Sequence, residues 1–198
     1  MKVQDHRKIH KNIYKVKPNV IEVIEVPELQ YIVTEGTGPK NVYEMHDGDP
    51  LWSISRVTNR LKDMTKNELE YKFTLMPLEV IWTRNEGESM MSYSWNAMMQ
   101  VPDIITQEMF TAAIHELEQR KRSVRVPLRL EKWKQNTCVQ TLHVGPYTQI
   151  EETIDLLKRF CDDQGFQIAN YIREIYINAP FCNPPEKLQT IVRAEIVR

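Results

Sequence analysis

Apolar and polar positions along this chain recur with two periods, and the changes of period outline its elements. Val20-Ile21-Glu22-Val23-Ile24-Glu25-Val26 is β-branched, which predicts a strand. Gln30-Tyr31-Ile32-Val33-Thr34-Glu35 predicts a second, closed by Gly36, Gly38 and Pro39. Asp49-Pro50 then opens a helix, because Asp49 can accept from its first free N–H groups and Pro50 suits the first helical position. Leu51, Ile54, Val57 and Leu61 give that helix a buried stripe. Strand patterning returns from Tyr71 to Trp82, where Pro77 predicts an edge or a bulge. Asn85-Glu86-Gly87-Glu88 reads as a turn and Met90 to Val101 as the next strand. Thr106 to Arg122 places Phe110, Ala113, Ile114 and Leu117 on one face of an amphipathic helix.

The second half runs in the same order. Val124 to Trp133 and Thr137 to Val144 are strands, the latter ended by Gly145-Pro146. Thr148-x-x-Glu151 has the spacing of a capping box, Ile150, Ile154, Leu157 and Phe160 form a helical stripe, and Gly165 can end that helix. Tyr171 to Asn178 and Gln189 to Val197 are strands, separated by a turn with a short helical piece at Pro184-Pro185-Glu186. Each half therefore reads strand–strand–helix–strand–strand. Gly38-Pro39 corresponds to Gly145-Pro146, and Glu79 is taken as the counterpart of Glu174, 41 and 29 residues further on respectively. The expected fold is α+β: tandem pseudo-symmetric modules (20–105 and 123–198, joined by a helix over 106–122) that form antiparallel sheet around a central ligand pocket.

Charge and composition narrow the function. The 26 basic and 27 acidic side chains leave a formal net charge of −1, so no global field exists to hold nucleic acid or an acidic membrane. Residues 1–19 are rich in Lys, Arg and His and are expected to be a solvated lead-in segment rather than a nucleic-acid or membrane arm. No apolar run reaches a membrane span, and no secretory signal opens the chain. Cys138, Cys161 and Cys182 lack C-x-x-C spacing, and the five histidines make no ligand spacing with them, so no metal, disulfide scaffold or cofactor is expected and a reducing cytoplasm is the simplest compartment. Four tryptophans and nine methionines are the unusual feature; they suit either an ordinary core or an irregular apolar cavity.

Leu142-His143-Val144-Gly145-Pro146-Tyr147, Glu174-Ile175-Tyr176-Ile177-Asn178-Ala179-Pro180 and Pro185-Glu186-Lys187-Leu188-Gln189-Thr190 together resemble the GyrI-like small-molecule-binding family. Pro77-Leu78-Glu79, Trp82, Trp95 and Val101-Pro102-Asp103 extend the resemblance through the first half. It implies two βαββ-type modules around a central pocket. Some members are effector-binding domains of multidrug-responsive regulators; some stand-alone members hydrolyse the cyclopropane ring of DNA-alkylating antibiotics. Their pocket combines aromatic walls with a carboxylate, which the resemblance places on Glu174, and the motif's aromatic on Tyr176. Relatives commonly carry His before that Glu; this chain has Arg173.

Strand alternation sends Ile172, Glu174, Tyr176 and Asn178 to one face and Tyr171, Arg173, Ile175 and Ile177 to the other. Glu174 is either a pocket base or cation ligand, or a solvated strand residue paired with Arg173 or Lys187; the resemblance favours the pocket. Glu79 is either a second pocket carboxylate or solvated. Trp82 and Trp95 form a cross-strand pair, as a flat wall for a polycyclic ligand or as core. Trp52 is read as core against the cavity floor, and Tyr147 as a hydroxyl at the cavity mouth or a cap on the core edge. Two functions follow. One is a cofactor-independent hydrolase of cyclopropane-bearing aromatics, with Glu174 activating water and Tyr176 stabilising the developing oxygen charge. The other is a non-catalytic sensor or sponge for planar or cationic lipophilic compounds. A protein partner is a lesser third possibility, and with no helix-turn-helix in view, neither nucleic acid nor membrane is expected as a partner.

Overall fold

The computed structural model describes residues 3–42, 45, 49–85, 92–122, 124–178 and 182–197. The first half comprises β1 (Val3–Gln4), α1 (His6–Ile9), α2 (Lys11–Tyr14), β2 (Glu22–Glu25), β3 (Leu29–Gly38), α3 (Pro50–Glu68), β4 (Lys72–Phe73), β5 (Leu78–Arg84) and β6 (Tyr93–Val101). After α4 (Gln107–Gln119) come β7 (Arg129–Trp133), β8 (Thr137–Val144), α5 (Ile150–Gln164), β9 (Gln167–Ile168), β10 (Tyr171–Tyr176) and β11 (Gln189–Val197). The local signals hold where the chemistry is local. Asp49 accepts from the Trp52 N–H with Pro50 at the helix start, Thr106 caps α4, and Gly165 ends α5 with a left-handed φ of 71°. Part of the turn expected at 85–88, the strand start at Met90, the module start at 123 and Ala179-Pro180 lie outside the described residues.

The main strands form one antiparallel sheet in the order β2-β8-β11-β10-β5-β6-β3-β7, with β9 attached to β11. That order is a palindrome. Exchanging β2 with β7, β3 with β8, β5 with β10 and β6 with β11 reverses it, which is the tandem α+β symmetry expected, with its two-fold between β5 and β10. The leading strands are traded: β2 pairs with β8 of the other half, and β7 with β3.

Helices α3 and α5 cover the same face of this sheet. α5 packs with Val139, Val192, Ala194 and Ile172, while α3 contacts β3 and β6. The flanking helices leave room above the central pair β5 and β10. Residues 3–18 cross the opposite face, where Ile13, Tyr14 and Val16 are buried. The lead-in is thus a packed strap and not a solvated segment: Gln140 donates to the Asn12 carbonyl, Arg193 to that of Ile13, and the Tyr14 hydroxyl to Glu79.

Two further expectations are corrected. Pro77 is not inside an edge strand; the segment 71–82 breaks after Phe73, and Pro77 immediately precedes β5, which is central and paired on both sides. The Thr148–Glu151 capping box does not form: a turn of 3₁₀ helix at Tyr147–Gln149 leads into α5, whose N-cap, Gln149, makes no side-chain cap.

Candidate functional site

Glu174 and Tyr176 stand two apart on β10, so the pleat points both at the helix-covered face. Cross-strand register puts Val80 opposite Glu174 and Trp82 opposite Ile172, so Trp82 shares that face. Above them lies a cavity of about 650 Å³, within the roughly 300–1,000 Å³ typical of ligand pockets. Trp82, Tyr93, Tyr147, Tyr176 and Glu174 line it, with Lys40 and Glu151 at the side. Tyr147 and Tyr176 meet edge to face with centroids 5.3 Å apart, and Trp82 meets Tyr93 likewise at 6.3 Å.

Glu174 is buried and bound on both oxygens. The Tyr176 hydroxyl donates to Oε2 at 2.8 Å. The Lys40 ammonium lies 3.0 Å from Oε1, as a charge contact outside hydrogen-bond direction. Lys40 also reaches Glu151 Oε1 at 2.5 Å. Burial alone would pull the Lys40 pKa down, but the charges of Glu174 and Glu151 outweigh it and hold it above the ordinary lysine value. Burial and the adjoining Glu174 raise the Tyr176 pKa well above that of a free phenol, so the group stays a hydroxyl; the Trp82 indole N–H, buried and without a well-formed hydrogen bond, pulls weakly the other way.

Lys40 escaped the sequence reading, although a signal for it was present. It directly follows Gly38-Pro39, just as Tyr147 directly follows Gly145-Pro146. The two landmarks each deliver their next residue to the cavity, one an ammonium and the other a phenol ring.

The remaining candidates lie elsewhere. Glu79 is fully buried on the opposite face, since it pairs with Ile175 and not with Glu174. It is not the two-fold counterpart of Glu174: a two-fold normal to the sheet preserves face, and Glu79 lies on the other one. Arg173 Nη1 sits 2.6 Å from Glu79, and Tyr14 donates to Glu79 at 2.7 Å. Arg173 therefore serves Glu79 and leaves Glu174 to Lys40. Trp95 does pair across from Trp82, but it is buried over Gly36, whose Cα faces the indole so closely that an added Cβ would lie 2.3 Å from Trp95 Cζ2. Trp95 is not among the residues lining the cavity. Trp52 is 56% exposed and stacked on the Arg56 guanidinium 3.4 Å away, lining a separate groove of about 360 Å³ between α3 and α4, so it is not core. His143 is structural, bonded to Thr153 Oγ1 at 2.8 Å and to the Pro146 carbonyl at 3.2 Å. Among the described residues, no helix is long and apolar enough to cross a membrane.

The GyrI-like small-molecule-binding domain matches residues 19–194. No match was found among curated proteins. Among solved structures, a hydrolase from Listeria innocua is 25% identical over 99% of this chain and 100% of its own, with a TM-score of 0.85. A conserved protein of uncharacterised role from Listeria innocua is 25% identical over the same shares, with a TM-score of 0.84. The EcmrR C-terminal domain shares the fold at 14% identity and a TM-score of 0.54, over 90% of this chain and 98% of its own.

Proposed function

The chain belongs to the GyrI-like small-molecule-binding family, and from that footing we propose that its cavity hydrolyses aromatic compounds carrying an electrophilic cyclopropane. The observation that carries this reading is Glu174, a carboxylate buried in an aromatic wall and held from two sides by Tyr176 and Lys40. Such a group is positioned to take a proton from a water molecule confined beside the substrate. The water oxygen bonds to the ring methylene. The ring C–C bond breaks, and its electron pair passes through the conjugated system to the carbonyl oxygen. That oxygen ends as a phenol once it receives the proton, so the net change is addition of one water. A hydrolase among the full-length structural relatives supports a reaction with water.

Tyr176 takes a different part here from the one its sequence position suggests. Its hydroxyl hydrogen is committed to Glu174, so it fixes the orientation of the carboxylate. Trp82, though only 2% exposed, is part of the aromatic wall against which the ring system would pack. Incubation with a spirocyclopropyl dienone in ¹⁸O-labelled water should give a ring-opened alcohol carrying the label. Tight binding with the ligand recovered unchanged would instead make this a drug sponge.

The walls make a separate prediction. Trp82→Ala should weaken binding of a planar dye by roughly 1–3 kcal/mol, the worth of one aromatic stacking surface. Titration of dye fluorescence against the folded variant measures it. Trp95→Phe should leave the affinity nearly unchanged, because Trp95 lies over Gly36 and not on the cavity wall. Equal losses for both would refute this assignment of the walls.

A further inference from the structure

We infer that Lys40 sets the charge selectivity of the cavity, admitting neutral planar compounds and turning lipophilic cations away. This rests on reading the cavity as the ligand site. A buried carboxylate among aromatic rings would by itself attract a cation, through its charge and through the ring faces. Here that attraction is already satisfied from within the chain. The Lys40 ammonium lies 3.0 Å from Glu174 and 2.5 Å from Glu151, and its side chain is only 13% exposed. A cation seeking Glu174 must sit beside a second positive charge or expel it, and expulsion separates a buried pair whose partners have little water to turn to.

The surroundings reinforce this balance. Arg84 also lines the cavity, so two positive side chains face the two acidic ones, Glu151 and Glu174. Glu151, in the first turn of α5, anchors the ammonium from the solvent side. The aromatic lining of Trp82, Tyr93 and Tyr147 offers an uncharged ring system apolar contact that needs no charge partner. The same positive charge favours a substrate whose carbonyl oxygen becomes negative as its cyclopropane opens.

The test compares acridine with 10-methylacridinium at pH 8, two planar probes of nearly equal size and opposite charge class. The wild-type protein should bind the neutral probe at least about tenfold more tightly. Lys40→Met should move that ratio toward the cation by about tenfold or more, in the range that removal of a close charge partner produces. Lys40→Arg, which keeps the charge, should hold the wild-type ratio. Circular dichroism checks that the variants fold, and should Lys40→Met not fold, the wild-type ratio alone decides. A wild-type ratio near one or favouring the cation overturns the inference, as does a folded Lys40→Met with an unchanged ratio. Neutral preference without any ring opening would sink the hydrolase reading and leave the selectivity standing; ring opening with cation preference would do the reverse.

Discussion

Glu174→Gln should lower the rate of cyclopropane opening by ~10²–10⁴-fold while neutral planar ligands bind with nearly unchanged affinity, the usual worth of a positioned general base. Glutamine keeps the size of the side chain and still accepts from the Tyr176 hydroxyl, which lies 2.8 Å from Oε2. It cannot take a proton from water. The split between rate and affinity is what identifies a base, because a residue that only shaped the cavity would change both. Single-turnover rates with saturating substrate, set beside dye affinities, measure it. Full hydrolytic activity in the folded variant would falsify the mechanism. Tyr176→Phe should fall between the two, since it removes the donor that orients the carboxylate and leaves the base in place.

Glu79→Ala should destabilise the protein by ~3–5 kcal/mol, the cost of leaving one partner of a buried ion pair alone. The stranded group is Arg173, which is 2% exposed and otherwise faces Met98 Sδ and the rings of Tyr31 and Trp133. Tyr14, on the N-terminal strap, loses its acceptor in the same stroke. Burial and the neighbouring Glu79 hold the Tyr14 pKa well above that of a free phenol, so in the intact protein Tyr14 is a neutral donor to the Glu79 carboxylate. Denaturant unfolding measures the loss. Replacing both charged residues together, as Glu79→Met with Arg173→Met, should recover much of it, because apolar side chains of similar volume carry no desolvation cost. A loss under about 1 kcal/mol for the single change would mean that water or another group rescues Arg173.

These two carboxylates also show where sequence reasoning reached and where it stopped. The cavity-facing position of Glu174 is legible because strand alternation and a family motif meet on it. Glu79 was misjudged because its face depends on the register of β5, and the sequence fixes no starting point for that strand beyond Pro77. The Asp49-Pro50 helix start and the Gly165 stop were legible because their hydrogen bonds close within a few residues. The capping box failed because Glu151, which it needed, is bonded to Lys40, 111 residues away in the chain. The same distance hid Lys40 itself. The strap was misread because α1 and α2 are four residues each, too short to show a period, and Ile13 and Tyr14 are buried only by a sheet that the local pattern does not reveal. Trp52 lies next to an apolar stripe, yet it faces outward because the stripe is filled by Ile54, Val57 and Leu61.

The traded edge strands give the molecule a mechanical property that neither half would have alone. β2 closes the sheet of the second half and β7 closes that of the first, so each half wears a border belonging to the other. Parting the halves at α4 would strip both borders at once and bare four strand edges, β3, β8, β5 and β10, whose open N–H and C=O groups would seek any strand at hand. The halves are interlocked like a strand-swapped dimer written into one chain. Unfolding of either half therefore removes a strand from its neighbour, and the cavity at their seam survives only while both stand.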